Sequence, residues 1–129
     1  MPSYPDSFPA SARLFERARK VMPGGNTRTT VYVDPFPIYV THGEGCRVWD
    51  ADGQEFYDCI NNFTAMIHGY AQPEQVAIVT DQLRLGTAFG GPTLSEIELA
   101  ELLIDRLPGM DQIRFANSGT EGVMMAIKA

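Results

Sequence analysis

The sequence is poor in the residues that build metal centres and disulfide frameworks. It has two cysteines, Cys46 and Cys59, and two histidines, His42 and His68. Two cysteines cannot staple a scaffold of this length, so free thiols in a reducing cytosol are the simplest reading and a soluble, cytoplasmic protein is expected. Long apolar runs are missing too. Nothing approaches the roughly 20 residues that span a bilayer, and no basic-then-apolar leader opens the chain. Positive charge is scarce: ten Lys and Arg against sixteen Asp and Glu leave a net charge of −6. With no basic cluster to offset that charge, a nucleic-acid backbone finds no attraction. What remains is 129 residues, 44% hydrophobic and 20% charged, with nine prolines. A chain of that size buries roughly two-thirds of its unfolded surface and suits one small domain, not a disordered tail or a coiled coil.

His42, Cys46, Cys59 and His68 form the one set with zinc-type donors. In an extended segment His42 and Cys46 would stand about 13 Å apart at ~3.3 Å per residue, too far to share one ion. Two packed thiols and two partly exposed histidines are the plainer reading, and no metal is expected. Asp50-Ala51-Asp52-Gly53 has a calcium-loop look, but with Gly53 at the sixth place the first and twelfth ligands would be Val48 and Cys59, which fails. No Walker loop and no G-x-G-x-x-G occurs. Two histidines offer no Ser-His-Asp set, and neither cysteine has the setting of a nucleophile.

Along the chain, Leu14, Phe15, Ala18, Val21 and Met22 predict an amphipathic helix over 11–22, stopped by Pro23-Gly24-Gly25. Residues 31–40 are β-branched and aromatic, but Pro35 and Pro37 confine them to an edge strand or an extended connection. Residues 45–50 and 54–60 flank Ala51-Asp52-Gly53 and predict a β-hairpin. Pro73 suits a first helical position, and Val76, Val79 and Leu83 make a stripe that ends at Gly86. Thr93 and Glu96 have capping-box spacing and open a second helix with Ile97, Ala100, Leu103, Ile104 and Leu107 on its apolar face. Pro108-Gly109 ends it. Residues 112–116 predict a short strand, and 121–129 a helix with no C-cap or proline stop. Mean helices run about 11–12 residues, so the chain is expected to be an N-terminal fragment of a longer protein. The composition change near residue 70 divides it into an N-terminal segment, 1–70, with a helix and a small antiparallel sheet, and the beginning of an α/β domain, 71–129.

Two places carry chemistry. The Asn117-Ser118-Gly119-Thr120 turn leads from the predicted strand into the last helix. Unpaired backbone N–H groups, two hydroxyls and the helix dipole make it suited to a phosphate, although an ordinary N-cap uses the same residues. Arg28 follows the flexible Pro23-Gly24-Gly25-Asn26-Thr27 turn. It could fork onto a substrate carboxylate or remain a solvated loop arginine. Asn61-Asn62-Phe63-Thr64-Ala65 sets polar side chains around one aromatic at the hairpin end, fit to line a pocket or to cap a strand.

In this order the pieces resemble the N-terminal part of a class III, fold-type I, pyridoxal-phosphate aminotransferase. The likeness covers nearly the whole chain, through Leu14-Phe15-Glu16-Arg17-Ala18, Met22-Pro23-Gly24-Gly25, Val48-Trp49-Asp50-Ala51-Asp52-Gly53, residues 86–93, and Arg114-Phe115-Ala116-Asn117-Ser118-Gly119-Thr120-Glu121. The resemblance implies a large domain with a mostly parallel sheet, and binding of the pyridoxal 5'-phosphate phosphate by Ser118, Gly119 and Thr120. It implies a homodimer, with residues 87–93 reaching the neighbouring site. Amino acids and 2-oxo acids are its expected substrates. Within the family, Asn26-Thr27-Arg28 and Phe63-Thr64-Ala65 are similar to β-amino-acid aminotransferases, where the matching arginine holds the substrate carboxylate and the matching aromatic lines the pocket. Glutamate-1-semialdehyde aminomutases share most blocks but usually carry Trp-Gly-Pro where this chain has Asn62-Phe63-Thr64. That favours transamination over the aminomutase-type isomerase; a non-catalytic binding module is the alternative of another class. Tyr70 stands where a His is common, and Gly122 replaces the usual Ala at a cost of roughly 1 kcal/mol to the helix. The Schiff-base lysine and the acid at the pyridine nitrogen are expected beyond Ala129. Lys20 and Lys128, the only lysines, match neither, so this stretch contains no catalytic residue of its own.

Overall fold

Prolines open the first two helices, α1 (Tyr4–Ser7) and α2 (Pro9–Arg19), where a missing N–H costs no hydrogen bond. The computed structural model describes residues 3–129. Helix α2 starts two residues before the predicted span and stops at Arg19. The N–H groups of Val21 and Met22 turn back onto the Ala18 carbonyl, and Val21, expected on the buried stripe, is 80% exposed. It lies past the helix end, where the chain already bends toward Pro23-Gly24-Gly25. Gly25 has φ +73°, and an added Cβ would meet the Phe15 ring at 2.6 Å, so that bend requires glycine twice over.

The core of this part joins Phe15 of α2 to Phe8 and Phe36, with Tyr4, Ile38 and Phe56 packed around them. Each fully buried aromatic of this kind contributes about 1.5–3 kcal/mol. Ser11 is wholly buried and satisfied: its Oγ accepts the Tyr39 N–H at 3.1 Å. After a 3₁₀ turn at Thr29–Val31, the chain runs to residue 39 without a ladder, the extended connection that Pro35 and Pro37 allow.

Strands β1 (Val40–Glu44), β2 (Arg47–Asp50) and β3 (Glu55–Tyr57) form one antiparallel sheet in that order. The β2–β3 hairpin is the one predicted, although its second arm leaves the sheet earlier, just after Asp58 N–H reaches the Cys46 carbonyl at 2.9 Å. Asp50 shapes the turn by accepting from Asp52 N–H at 2.9 Å and Gln54 N–H at 2.7 Å. Strand β1 is an addition to the sequence reading. His42 and Gly43 give it little strand character, and pairing with β2 supplies the rest.

Beyond the sheet, α3 (Asn61–Thr64) is a single turn, α4 spans Pro73–Leu85, α5 spans Leu94–Arg106 and α6 spans Gly119–Lys128. Pro73 is the first residue of α4, and Gly86 follows its end with φ +104°. Thr93 and Glu96 close the capping box of α5, with Thr93 N–H donating to Glu96 Oε2 at 3.2 Å. The strand expected over 112–116 is corrected. Those residues pair with nothing among the described residues, and a lone segment with no neighbour cannot form a ladder. The backbone groups into two compact units, one up to Arg84 and one from Leu85 to Ala129. Among the described residues no helix is long and apolar enough to cross a membrane.

Candidate functional site

In the first unit, Arg28 and Phe63, 35 positions apart, line one cavity of about 550 Å³. Val31, Ile38, Val48 and Phe56 give it apolar walls, and Asp58, Asn62 and Tyr70 add polar groups. Arg28 is fixed at its backbone by donation from its N–H to Asn26 Oδ1 at 2.8 Å, an Asx turn that follows from Asn26-Thr27-Arg28. Its guanidinium Nη1 donates to Asn62 Oδ1 at 3.2 Å. The ion pairs among the described residues are Arg19–Glu16, Arg47–Glu55 and Arg84–Asp81; Arg28 is in none of them.

The α3 turn is left-handed. Asn61, Asn62, Phe63 and Thr64 have φ of 52°, 45°, 56° and 68°. Asparagine tolerates that region, whereas Phe and the β-branched Thr do not, at about 1 kcal/mol or more for each. Strain of this kind persists only where neighbours impose it, and the Asp58 carboxylate does so. Its Oδ1 accepts from Ile60 N–H at 2.8 Å and Asn61 N–H at 2.9 Å, and its Oδ2 accepts from the Tyr70 hydroxyl at 2.5 Å. The Tyr70 hydrogen bond, together with the two backbone donors, holds the Asp58 carboxyl below its usual range, and the same carboxylate pushes the Tyr70 phenol up. Tyr70 and Gly45 also exchange backbone hydrogen bonds at 2.8 and 2.9 Å. The far end of the loop is thereby tied to the sheet. Gly43 must be glycine to let the Tyr70 ring approach, because a Cβ there would stand 2.5 Å from it. Sequence reasoning missed the Asp58–Tyr70 pair: an acid and a tyrosine twelve positions apart carry no signal until the loop closes.

His42 and Cys46 belong to no metal cluster. Among the described residues, no group of three or more His, Cys, Asp and Glu side chains could hold an ion. The His42 ring instead stacks on Trp49 with centroids 4.7 Å apart and planes 1° from parallel.

In the second unit, Ser118 is the N-cap of α6 in extended conformation, and its Oγ accepts the Glu121 N–H at 3.2 Å. Glu121 turns back to accept from Asn117 N–H at 2.9 Å. Among the described residues, the N–H groups of Gly119 and Thr120 find no acceptor, and Gly119 has open space where a Cβ would stand. Two free amides, two hydroxyls and the positive end of a ten-residue helix fit a phosphate ester. Lys128 closes the other end of α6, roughly 13 Å along the axis at 1.5 Å per residue, and Lys20 follows α2. Lys128 therefore does not stand at this turn.

Residues 29–129 match the class-III aminotransferase family, and the chain belongs to it. A glutamate-1-semialdehyde 2,1-aminomutase of Methanopyrus kandleri is 42% identical over 97% of the chain. Among solved structures, an ω-transaminase from Sphaerobacter thermophilus is 59% identical over 92% of the chain, with a TM-score of 0.88. A β-phenylalanine aminotransferase from Variovorax paradoxus is 40% identical over 97% of it, with a TM-score of 0.91. The chain has their fold, fold type I, and spans 27–29% of the length of these three proteins.

Proposed function

We propose that the whole protein is a pyridoxal-phosphate enzyme that transfers an amino group between an amino acid, with β-amino acids favoured, and a 2-oxo acid. The observation that carries the substrate half is the single cavity holding both Arg28 and Phe63 between apolar walls. In this reading Arg28 receives the substrate carboxylate with a planar, permanently charged fork, and Phe63 lies against an apolar side chain. Ser118, Gly119 and Thr120 bind the cofactor phosphate through two unpaired amides and their hydroxyls. The bound cofactor supplies the electron sink that allows a C–H bond next to nitrogen to ionise. The lysine that carries the cofactor, and the acid at its pyridine nitrogen, come from residues after Ala129. A cytoplasmic homodimer, with residues 87–93 reaching the neighbouring site, completes the reading. So does the division into an N-terminal segment, 1–70, and a cofactor-binding domain that begins at 71.

The aminomutase reading is supported by the 42% identity to the M. kandleri protein. Asn62-Phe63-Thr64 stands against it. Product analysis without an added amino acceptor separates the two, because only an isomerase turns over alone.

The test is cofactor uptake by the full-length protein. Titration with pyridoxal phosphate is expected to give a visible absorbance band that an amino donor bleaches. Thr120→Ala is expected to weaken uptake about tenfold, near the worth of one charge-assisted hydrogen bond. A protein that stays colourless, or a Thr120→Ala variant with unchanged affinity, overturns the reading in favour of a non-catalytic module.

A further inference from the structure

Arg28 borders two hollows. One is the 550 Å³ cavity it shares with Phe63; the other, of about 460 Å³, lies against Met22, Gly25 and Tyr39. A long, exposed side chain between two spaces needs something to choose its side. Among the described residues its guanidinium makes one side-chain hydrogen bond, to Asn62 Oδ1, and of the two hollows Asn62 lines the Phe63 cavity alone. The orientation of that amide is settled by chemistry: a guanidinium only donates, so the oxygen must face it.

We propose that Asn62 is a positioning residue for the substrate carboxylate: its amide oxygen holds the Arg28 guanidinium on the Phe63 side without neutralising it. This inference rests on Arg28 being the carboxylate receptor. A neutral acceptor suits the task better than an acid. It occupies one of five N–H donors and leaves the positive charge for the ligand. The one acid among the residues lining the cavity, Asp58, is already committed to Ile60, Asn61 and Tyr70. The left-handed turn is what delivers the amide. With φ +45° and ψ +50°, Asn62 sits where asparagine and glycine are the tolerant residues, and the Asp58–Tyr70 closure holds it there.

That backbone conformation also provides a clean variant. Asn62→Gly removes the amide and relaxes the turn, whereas alanine would add strain of its own. The experiment uses the full-length holoenzyme with two donors: an aromatic β-amino acid, and 1-phenylethylamine, which has no carboxylate. Asn62→Gly is expected to raise KM for the β-amino acid about tenfold with kcat within about twofold, and to leave KM for the amine within about twofold. Asn62→Asp is expected to raise the β-amino acid KM further, because its charge competes for Arg28. Binding of the unreactive 3-phenylpropanoate, followed by calorimetry, is expected to weaken in the same order. Arg28→Gln separates the two levels of the argument. If it raises the β-amino acid KM while Asn62→Gly does not, the inference falls and Arg28 stands. If it changes neither KM nor 3-phenylpropanoate affinity, Arg28 is not the receptor and both fall. An equal KM rise for both donors in Asn62→Gly means general damage to the pocket and also overturns the proposal.

Discussion

Ile60 N–H, Asn61 N–H and the Tyr70 hydroxyl all point at the Asp58 carboxylate, and each bond favours its ionised form. The consequence for stability has a definite sign at both ends of the pH scale. Asp58 titrates lower when folded than when unfolded. Its contribution is full above the unfolded value, about 3.9, and is lost as pH falls through the lower folded one. Tyr70 titrates higher when folded. Its contribution is full below about 10 and is lost as pH rises through the folded value. Tyr70→Phe is therefore expected to lower the denaturation midpoint at neutral pH and to flatten both limbs. Asp58→Asn should remove the acid limb's share altogether, since two backbone donors remain in Tyr70→Phe. Denaturant melts from about pH 3 to 10.5 read this directly. Limbs of unchanged slope in both variants would show that the pair does not close the loop.

Helix α2 has Phe8 at its N-cap, which offers no oxygen to the first turn. The missing acceptor comes from the hairpin. Asp52 Oδ1 accepts Ala10 N–H at 2.8 Å, and Oδ2 lies 3.4 Å from Ser11 N. Gln54 Nε2 adds a bond to the Ser7 carbonyl at 2.7 Å. Asp52→Ala should cost about 1 kcal/mol, the usual worth of a cap, and lower Tm by several degrees, with Asp52→Asn recovering part of the loss. No change in Tm would place the cap elsewhere. The elements themselves were legible wherever the signal is local: Pro73 at the start of α4, the Thr93–Glu96 box of α5, and Ala51-Asp52-Gly53 between β2 and β3. They were illegible where pairing decides. Val40–Glu44 became a strand only because β2 lies beside it, and residues 112–116 had strand composition but no neighbour. The site divides in the same way. Arg28 and Phe63 were visible through family resemblance, whereas the Arg28–Asn62 and Asp58–Tyr70 bonds arise from a loop whose hand no local propensity predicts.

Among the described residues, every one classed as buried lies at or before Asp50, and none of α4, α5 and α6 has a buried residue. Helix α5 still presents Leu94, Ile97, Leu99 and Leu102 to solvent. Helical stability in proteins comes mostly from covering such faces. In hydrogen exchange on the 129-residue chain, amides of α2 and the β1–β2 ladder should be the slowest, and those of α5 and α6 should exchange within the dead time or nearly so. Equal protection throughout would contradict this. The Asp52 cap also bears on how the first unit assembles. Its bond to Ala10 closes a loop of 42 positions, and the entropy of such a closure must be met before the contact returns anything. The hairpin needs only a turn of a few residues. A stopped-flow observer should see the tip of the ribbon order early and the amino-terminal coil wind up against it, as a template rather than as a partner of equal standing.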